Sequence, residues 1–430
     1  MDLKRFLIIP VFFTSAIVLF GQESFKDTLR ISVRQADSTF ISQNLSLLAE
    51  KCNIEASRAQ IIQARLFKNL TFSIEQNVYN TEYLTNGGRP WFDFTDKGET
   101  SVQIQKLFLL AGKRNKLIQL AESGALREEQ VYFDMLRTLK YSLHSQFYNI
   151  YFLQQILKVY DKEISSLDRL VGVFEGQSEK GFISRKELLR IKSMLFSLEN
   201  EKLGLTTQMI SAQSDFNILM HTSNLYYLTQ FDQNEFDKRS LDSLKLSTLI
   251  DTADIYRYDL RMARTDLDIS NINLAYQKSV AVPDLTLSGG WDRNGSYVHN
   301  YNFIGMQFDL PFFDRNQGNI KTAKFNAESN KYKVQSAEDQ VKADVINAYS
   351  TAIETDRLYS RFDKSFLGDL ESMNGEMLKN FEKRNISLIE FLDYYDAYKT
   401  NVIQLNTLMY NLINSFENIN FVVGKDILTK

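Results

Sequence analysis

Apolar residues near the C-terminus recur at spacings that alternate between four and three. The row consists of Phe391, Tyr395, Tyr398, Val402, Leu405, Met409, Leu412, Phe416, Ile419 and Val423. A sustained average spacing of about 3.5 residues predicts a helix that packs beside partner helices in a left-handed supercoil, and an ordinary helical bundle would show the same row. The segment from Ser184 to Met220 carries a matching row that only Lys202 interrupts, and it predicts a second helix of this kind.

Other helical patterns extend much further than is usual. One helix is predicted from about Arg114 to Phe174, which makes it roughly 90 Å long at about 1.5 Å per residue. A shorter helix is predicted from Gln35 to about Arg65. Globular helices average about 12 residues, and the chain has only four prolines to interrupt longer ones. We therefore expect short helices stacked end to end beside long ones, in a tall cylinder.

Between the helices lie two hairpins, at about 68–110 and about 284–311, in which apolar and polar residues alternate. Alternation over about ten residues is typical of a membrane barrel strand with an apolar outside and a polar lumen, although a half-buried strand of a soluble sheet looks the same. Aromatic residues cluster at the strand ends, as at membrane interfaces. These aromatic residues are Tyr79, Tyr83, Trp91, Phe92, Phe94, Trp291, Tyr297 and Tyr301.

Four strands cannot close a barrel, and lipid does not tolerate open sheet edges. Two chains would supply eight strands, whose interior side chains fill. Three chains would supply twelve strands and a usable lumen. A homotrimer is therefore the smallest assembly consistent with a duct.

The chain repeats itself once. Residues 179–189 match residues 382–392 at a constant offset of 203, and both copies contain Ser-x-x-Glu before an apolar run. This pattern predicts a capping box, in which the serine and the glutamate satisfy each other's backbone N–H groups at a helix start. We expect a first repeat at 22–220, a polar linker at 221–247 and a second repeat at 248–430. Each repeat should read helix, strand, loop, strand, long helix, tight turn, helix.

The first 21 residues read as a secretory signal peptide. Lys4 and Arg5 precede an apolar stretch from Phe6 to Phe20, and Gly21 is a suitable small residue before cleavage. The stretch is short for a membrane helix, which needs about 20 apolar residues. An uncleaved anchor is the alternative interpretation.

The remaining composition argues against several classes of function. A net charge of −3 gives no basic surface for nucleic acid. Cys52, His144, His221 and His299 show no metal-ligand spacing, and no nucleophile, phosphate-loop or metal motif occurs. We therefore expect no catalytic residue and no metal site.

One segment carries a family resemblance. Residues 311–318, Pro-Phe-Phe-Asp-Arg-Asn-Gln-Gly, look like the strand-to-helix segment of the CzcC- and CusC-like cation-efflux branch of the TolC family of outer-membrane efflux proteins. The order of elements resembles this family over the whole mature chain. The first-half copy departs from the pattern, with Gly112 where the second has proline.

The resemblance implies a mainly α fold with β structure, in which a trimeric twelve-stranded outer-membrane barrel continues into a periplasmic helical barrel. It also implies an equatorial belt around the helices, to which the linker at 221–247 would contribute. It also implies a periplasmic adaptor and an inner-membrane pump of the RND type as partners, lipid of a Gram-negative outer membrane around the barrel, no enzymatic chemistry and no cofactor. The cargo would be heavy-metal cations or small toxic compounds. Drug efflux or type I secretion is the alternative within the family.

The repeated boxes would form the periplasmic tip. The residues expected to dock the adaptor are Gly181, Ile183, Ser184, Asn385, Ile386 and Ser387, although simple helix capping explains them equally well. Glu390 and Asp393 align with the acidic aperture of TolC-like proteins and lie three residues apart, on one helix face. In a trimer they would form a carboxylate ring that favours cations.

Three other kinds of protein remain open from the sequence. A soluble periplasmic coiled-coil scaffold would use the strands in a small sheet. An adaptor-like protein of the same pump would carry a single long hairpin, whereas this chain has two. A hydrolase is the most distant alternative.

Overall fold

The computed structural model describes residues 27–76, 99–232, 241, 244–293, 295, 297–362 and 365–428. The predicted signal peptide and the aromatic residues between positions 79 and 94 lie outside these residues. The element order is the one that the sequence repeat predicts, with additions described below. Within these residues the fold is mainly helical with two small sheets.

Among the described residues, the first half contains four helices and four strands. In chain order these are β1 (Asp27–Ser32), α1 (Val33–Gln43), α2 (Leu45–Arg65), β2 (Thr71–Gln76), β3 (Thr100–Phe108), α3 (Lys113–Glu179), α4 (Arg185–Met220) and β4 (Leu225–Gln230). Helix α3 has 67 residues and extends beyond both predicted ends. At about 1.5 Å per residue it is roughly 100 Å long.

The described part of the second half repeats this order with five helices and two strands. These are α5 (Leu246–Tyr256), α6 (Tyr258–Val280), β5 (Leu285–Asp292), β6 (Tyr301–Gln307), α7 (Gln317–Arg361), α8 (Ser365–Glu382) and α9 (Leu388–Val423). The counterpart of α3 is thus two helices rather than one. Phe362 takes an extended conformation at the end of α7, and its ring contacts Phe366 at 5.8 Å.

The first helix of each half is also interrupted, which the sequence did not predict. Asn44 ends α1 in an extended conformation and starts α2, because its side-chain oxygen accepts a hydrogen bond from the N–H of Leu47 at 3.1 Å. Its amide also donates to the Leu219 carbonyl at 2.9 Å. In the second half, Arg257 occupies the same place between α5 and α6. The prediction of one continuous helix from Gln35 to Arg65 was therefore wrong, because Asn44 divides this segment into α1 and α2.

Buried Arg257 fixes the second interruption. Its guanidinium donates to Asp259 and Asp344, each at 2.9 Å, and to the Val422 carbonyl at 3.2 Å. Burial alone disfavours the charged form, but these carboxylates outweigh that effect and raise the pKa of Arg257. The C-terminal end of α9 is thereby joined to the α5–α6 break.

The main sheet is antiparallel with the order β2-β3-β5-β6. Its central pair joins β3 of the first half to β5 of the second, with Ile104 opposite Gly289. The register puts most apolar side chains on one face. That face carries Phe72, Ile74, Val102, Ile104, Phe108, Leu285, Leu287, Trp291, Ile304 and Met306. The opposite face carries Thr71, Ser73, Glu75, Ser101, Gln103, Gln105, Thr286, Ser288, Asp292 and Gln307, with Leu107, Tyr301 and Phe303 as its apolar members.

A second sheet pairs β1 with β4 in parallel, and the sequence did not predict it. Strand β4 lies in the segment interpreted as a polar linker. Gln154 and Gln213 each donate a side-chain hydrogen bond to the Tyr227 carbonyl at 2.8 Å, and Gln213 accepts from the Tyr227 N–H at 2.9 Å. Polar side chains of α3 and α4 thus hold a strand that has little apolar periodicity of its own.

The core has two parts along the helices. The larger surrounds Phe147, Phe216 and Phe416, beside β4. The smaller lies toward the helix turns, where the rings of Phe381 and Phe391 stack at 4.5 Å. The predicted heptad row of α9 faces inward, and eight of its ten members are buried: Phe391, Tyr395, Tyr398, Leu405, Leu412, Phe416, Ile419 and Val423.

Candidate functional site: the paired helix turns

The turn between α3 and α4 is a Schellman motif followed by a capping box. The N–H of Phe182 donates to the Gln177 carbonyl at 2.8 Å, and the N–H of Gly181 donates to the Ser178 carbonyl at 3.0 Å. Gly181 has φ +74°, a left-handed conformation that glycine adopts without a steric penalty. The Ser184 hydroxyl then accepts from the N–H of Glu187 at 3.2 Å, which starts α4.

The turn between α8 and α9 repeats this geometry at the same offset. The N–H of Asn385 donates to the Asn380 carbonyl at 2.8 Å, and the N–H of Arg384 donates to the Phe381 carbonyl at 2.9 Å. The Ser387 hydroxyl accepts from the N–H of Glu390 at 3.2 Å. Both predicted capping boxes are therefore confirmed.

Arg384 is the residue at this site that sequence reasoning missed. It takes the left-handed position that Gly181 takes in the first repeat, with φ +60°. Its guanidinium donates to the side-chain oxygen of Gln177 at 2.9 Å and to the Phe182 carbonyl at 2.8 Å. The signal was present in the repeat, because Lys-Gly in one copy aligns with Lys-Arg in the other. Arg384 thereby joins the two turns.

The six predicted docking residues divide into two kinds. Ile183 and Ile386 are partly buried against the smaller core cluster. Gly181, Ser184, Asn385 and Ser387 are exposed. Phe182 between them is 64% exposed, and it lines a shallow cavity of about 360 Å³ together with Val173, Gly176, Gln177, Lys180 and Arg384.

Glu390 and Asp393 lie on the exposed first turns of α9. The Glu390 carboxylate accepts a hydrogen bond from the Ser387 N–H at 2.8 Å. This bond and one from the Ser387 hydroxyl hold the pKa of Glu390 below its usual range. Glu390 is thus a charged cap, and its carboxylate is already engaged within a single chain.

A buried charged cluster lies far from the turns along α3. Each ring nitrogen of His144 faces a carboxylate, Glu417 at 2.9 Å from Nδ1 and Asp37 at 2.8 Å from Nε2, and the protonated ring donates to both. Burial disfavours the charged ring, but the two carboxylates outweigh burial and raise the pKa of His144 to about 9. Because the carboxylates occupy opposite sides of the ring, they cannot share one metal ion with it. Within the ranges described above, no group of three or more His, Cys, Asp or Glu residues could hold a metal ion.

None of the helices from α1 to α9 is both long enough and apolar enough to cross a membrane.

The same arrangement of elements occurs in solved outer-membrane channels. The fold is of the TolC type, as the sequence resemblance implied. It consists of two helical hairpins, the interrupted helix that precedes each sheet hairpin, and one four-stranded sheet that both halves share. CusC, solved in a study of its transmembrane channel formation, has this fold with a TM-score of 0.74 at 15% identity, covering 91% of this chain and 92% of CusC. The outer membrane channel CmeC of Campylobacter jejuni has a TM-score of 0.71 at 14% identity, covering 93% of this chain and 86% of CmeC.

Sequence similarity is weaker than structural similarity. The cobalt-zinc-cadmium resistance protein CzcC of Cupriavidus metallidurans is 22% identical over 310 residues, which are 72% of this chain and 69% of CzcC. No protein-family model matches the chain. The resemblance to the CzcC- and CusC-like branch is confirmed at the level of similarity to these two proteins.

Proposed function

We propose that this chain is the outer-membrane channel subunit of an efflux system and acts as a passive exit duct rather than as an enzyme. The observation that carries the proposal is the four-stranded sheet with one exposed apolar face and two open edges. It is continuous with helices that extend about 100 Å in α3 alone. Lipid around the sheet and a periplasmic position of the helices account for both features.

The apolar face is too exposed for a protein surrounded only by water. Phe72, Ile74, Ile304 and Met306 are between 60% and 91% exposed. Apolar surface in water costs about 25 cal/mol per Å² relative to an apolar environment. A lipid bilayer removes that cost and leaves the polar face for a lumen. The outer membrane of a Gram-negative bacterium fits this requirement, because its proteins span lipid with strands.

The open edges support a homotrimer. Strands β2 and β6 are the edges and run in opposite directions. The β6 edge of one copy can therefore pair in antiparallel fashion with β2 of the next, in a head-to-tail ring that closes on itself. Three copies give the twelve strands of a barrel with a lumen.

Helix α4 offers a second surface for another copy. Leu189, Phe196, Leu203 and Ile210 recur every seven residues and are each more than half exposed. They lie opposite the row containing Ile191 and Leu198, which is buried within the chain. A heptad row that one chain leaves uncovered fits packing against a helix of a neighbouring copy.

Channel activity can be tested with the mature chain reconstituted in a planar bilayer. We expect a detergent-requiring trimer that conducts ions. A protein that is monomeric and soluble without detergent would contradict the proposed channel function and favour the soluble periplasmic scaffold instead.

The paired turns are the proposed docking site for a periplasmic adaptor that links the duct to an RND-type inner-membrane pump. Exposed backbone and small polar groups are available at Gly181, Ser184, Asn385 and Ser387. The turns are packed against the smaller core cluster by Ile183 and Ile386. Site-specific crosslinking from positions 182 and 385 in cells should capture one periplasmic protein. Capture from position 60 instead, on α2, would contradict this assignment.

Glu390 and Asp393 are proposed to form the cation-favouring ring at the periplasmic aperture. Glu390→Gln with Asp393→Asn removes the charges, while glutamine at N3 keeps the capping box. We expect higher conductance or weaker cation selectivity in the bilayer. Unchanged conductance and selectivity would show that these two residues do not form the aperture.

Heavy-metal cations are the proposed cargo, because the sequence similarity is to a cobalt-zinc-cadmium resistance protein. A deletion strain should become sensitive to cobalt, zinc and cadmium salts. The same strain is challenged in parallel with drugs, and selective drug sensitivity would favour a drug-efflux duct. Loss of secreted protein alone would favour type I secretion.

A further inference from the structure

A cavity of about 510 Å³ lies where the main sheet meets the helices of the first repeat. It is formed by the C-terminal end of α2, the chain that enters β2, the end of β3 and the start of α3. We call it the junction pocket and define it by Leu66, Phe67, Lys68, Lys106, Phe108 and Arg114. It is distinct from the paired turns, at the opposite end of α3.

The junction pocket combines an apolar wall with cations and has no carboxylate among its lining residues. Phe67 is 70% exposed, and two cations lie close to its ring. The Arg114 guanidinium is 4.2 Å from its ring centroid, and the Lys106 ammonium is 5.8 Å away. Lys106 is also 5.4 Å from the Phe108 ring. These cations contact aromatic rings, and neither lysine of the pocket has an ion pair within the described ranges.

Arg114 has an unused donor in this pocket. One terminal nitrogen donates to the Arg65 carbonyl, but the buried Nε has no hydrogen-bond partner in the described part of the chain. A buried N–H without a partner costs roughly 1–3 kcal/mol. An oxygen acceptor from a bound molecule would satisfy it.

The pocket continues onto the apolar face of the sheet. Lys106 is on that face, opposite Leu287 and between Ile104 and Phe108. Leu70 and Phe72, which follow the pocket along the chain, are 57% and 62% exposed. A ligand of the pocket would therefore have its anionic group among the cations and an apolar part along the sheet.

We propose that the junction pocket binds an anionic phospholipid, with its phosphate at Lys106 and Arg114 and its acyl chains along the apolar face. This inference rests on the proposed membrane position of the sheet. Lysine and arginine at a membrane boundary keep their cationic ends at the headgroup level while their stems cover apolar surface. The pocket then fixes the depth at which the sheet enters the bilayer.

The second repeat provides a matched control. Arg315 is the repeat counterpart of Arg114, and Asp314 stands where the first repeat has Lys113. Arg315 is exposed, and the adjacent carboxylate accepts from the Asn316 N–H at 2.8 Å. The same substitution at Arg315 therefore changes charge at an equivalent boundary position without touching the junction pocket.

The test is native mass spectrometry of the detergent-solubilised full-length chain, titrated with phosphatidylglycerol or phosphatidylcholine of the same acyl composition. We expect wild type and Arg315→Gln to prefer phosphatidylglycerol. Each basic residue near an anionic lipid contributes about fivefold in affinity, so Lys106→Gln with Arg114→Gln should weaken phosphatidylglycerol binding about 25-fold. Lys106→Arg with Arg114→Lys should retain it.

The single variant Lys106→Gln is tested as well, in case the double variant fails to assemble. Lys106 donates no hydrogen bond among the described residues, so its loss should leave the fold intact. This variant should weaken phosphatidylglycerol binding about fivefold. Equal binding of the two lipids, or unchanged binding by Lys106→Gln, would overturn the pocket. Displacement of the lipid by millimolar inorganic phosphate would also overturn it, in favour of a free-anion site. A detergent-requiring trimer with no lipid preference refutes the pocket alone, whereas a soluble monomer refutes the proposed function.

Discussion

Single residues with a special backbone conformation define both helix turns. Gly181 and Arg384 are left-handed at equivalent places, and only the first is a glycine. A non-glycine residue in this conformation costs roughly 1–2 kcal/mol. The two hydrogen bonds of Arg384 to the first turn offset that cost, which explains why the second repeat can dispense with glycine. Sequence comparison of the copies locates the position but not the bonds, because those depend on how the hairpins lie side by side.

Gly181→Ala should destabilise the α3–α4 turn by about 1 kcal/mol, because alanine pays the left-handed cost while nothing lies within 4 Å of its new methyl group. Gly176→Ala is the matched control, five residues earlier within α3 and equally open. It should stabilise the chain by up to about 1 kcal/mol, since alanine favours helix. Thermal unfolding of both variants measures the difference. Similar shifts in the same direction would contradict the role of the turn.

His144 should make stability depend on pH. Its pKa is about 9 in the folded chain and about 6.5 when unfolded. A raised pKa stabilises the fold fully below about pH 6.5, and that contribution is lost as the pH rises through about 9. The upper bound is about 3 kcal/mol for a shift of this size. The melting temperature of wild type minus that of His144→Gln should therefore fall across this window. A constant difference would show that the ring is neutral throughout.

At the scale of elements, the sequence predicted the features that depend on residues close together in the chain. These features are the heptad row of α9, the length of α3 and both capping boxes. The interruptions at Asn44 and Arg257 did not, because their partners, the Leu219 carbonyl and Asp344 among them, are distant in sequence. Strand β4 was missed for the same reason, since glutamines of α3 and α4 hold it in place. The one polar member of the α4 row, Lys202, pairs with Asp161 at 2.6 Å.

Adjacent glycines of β5 should respond differently to substitution. A Cβ at Gly290 would lie 2.6 Å from the Val102 carbonyl oxygen and 2.7 Å from the Phe303 ring, whereas one at Gly289 would meet only the Phe303 carbonyl oxygen at 3.7 Å. Overpacking of this kind costs about 1–3 kcal/mol. Gly290→Ala should therefore lower the melting temperature of the detergent-solubilised protein, while Gly289→Ala, on the opposite face, should not. Equal melting temperatures would mean that β3 and β6 can move apart without penalty.

At the scale of the whole molecule, the sequence predicted the fold class but not how its halves join. Alternation identified strands without saying which would be neighbours. The order β2-β3-β5-β6 couples the repeats through the central β3–β5 pair and leaves one edge from each repeat. Of the candidate site, the turns and caps followed from the sequence, whereas the Arg384 contact required the packed hairpins.

The exposed row of α4 gives a prediction for assembly. Phe196→Glu with Leu203→Glu places charges on a surface that we propose packs against a second copy, and burying an unpaired charge costs several kcal/mol. The trimer should dissociate while the monomer keeps its helical content, because both side chains are more than 60% exposed in the single chain. Ser197→Glu, exposed on a different side of α4, should leave the trimer intact. Size measurement in detergent with circular dichroism tests all three variants, and a stable trimer from the double variant would exclude this row from the subunit contact.

The parallel pairing of β1 with β4 determines how early in synthesis β1 can reach its folded position. Asp27 lies opposite Leu225, so the first described strand must wait for a partner that is synthesised about 200 residues later. Contacts of such long separation form slowly. The N-terminal strand of a nascent chain is therefore left with unpaired backbone groups throughout the production of the first repeat, and a chaperone that shields extended segments would be needed longest there.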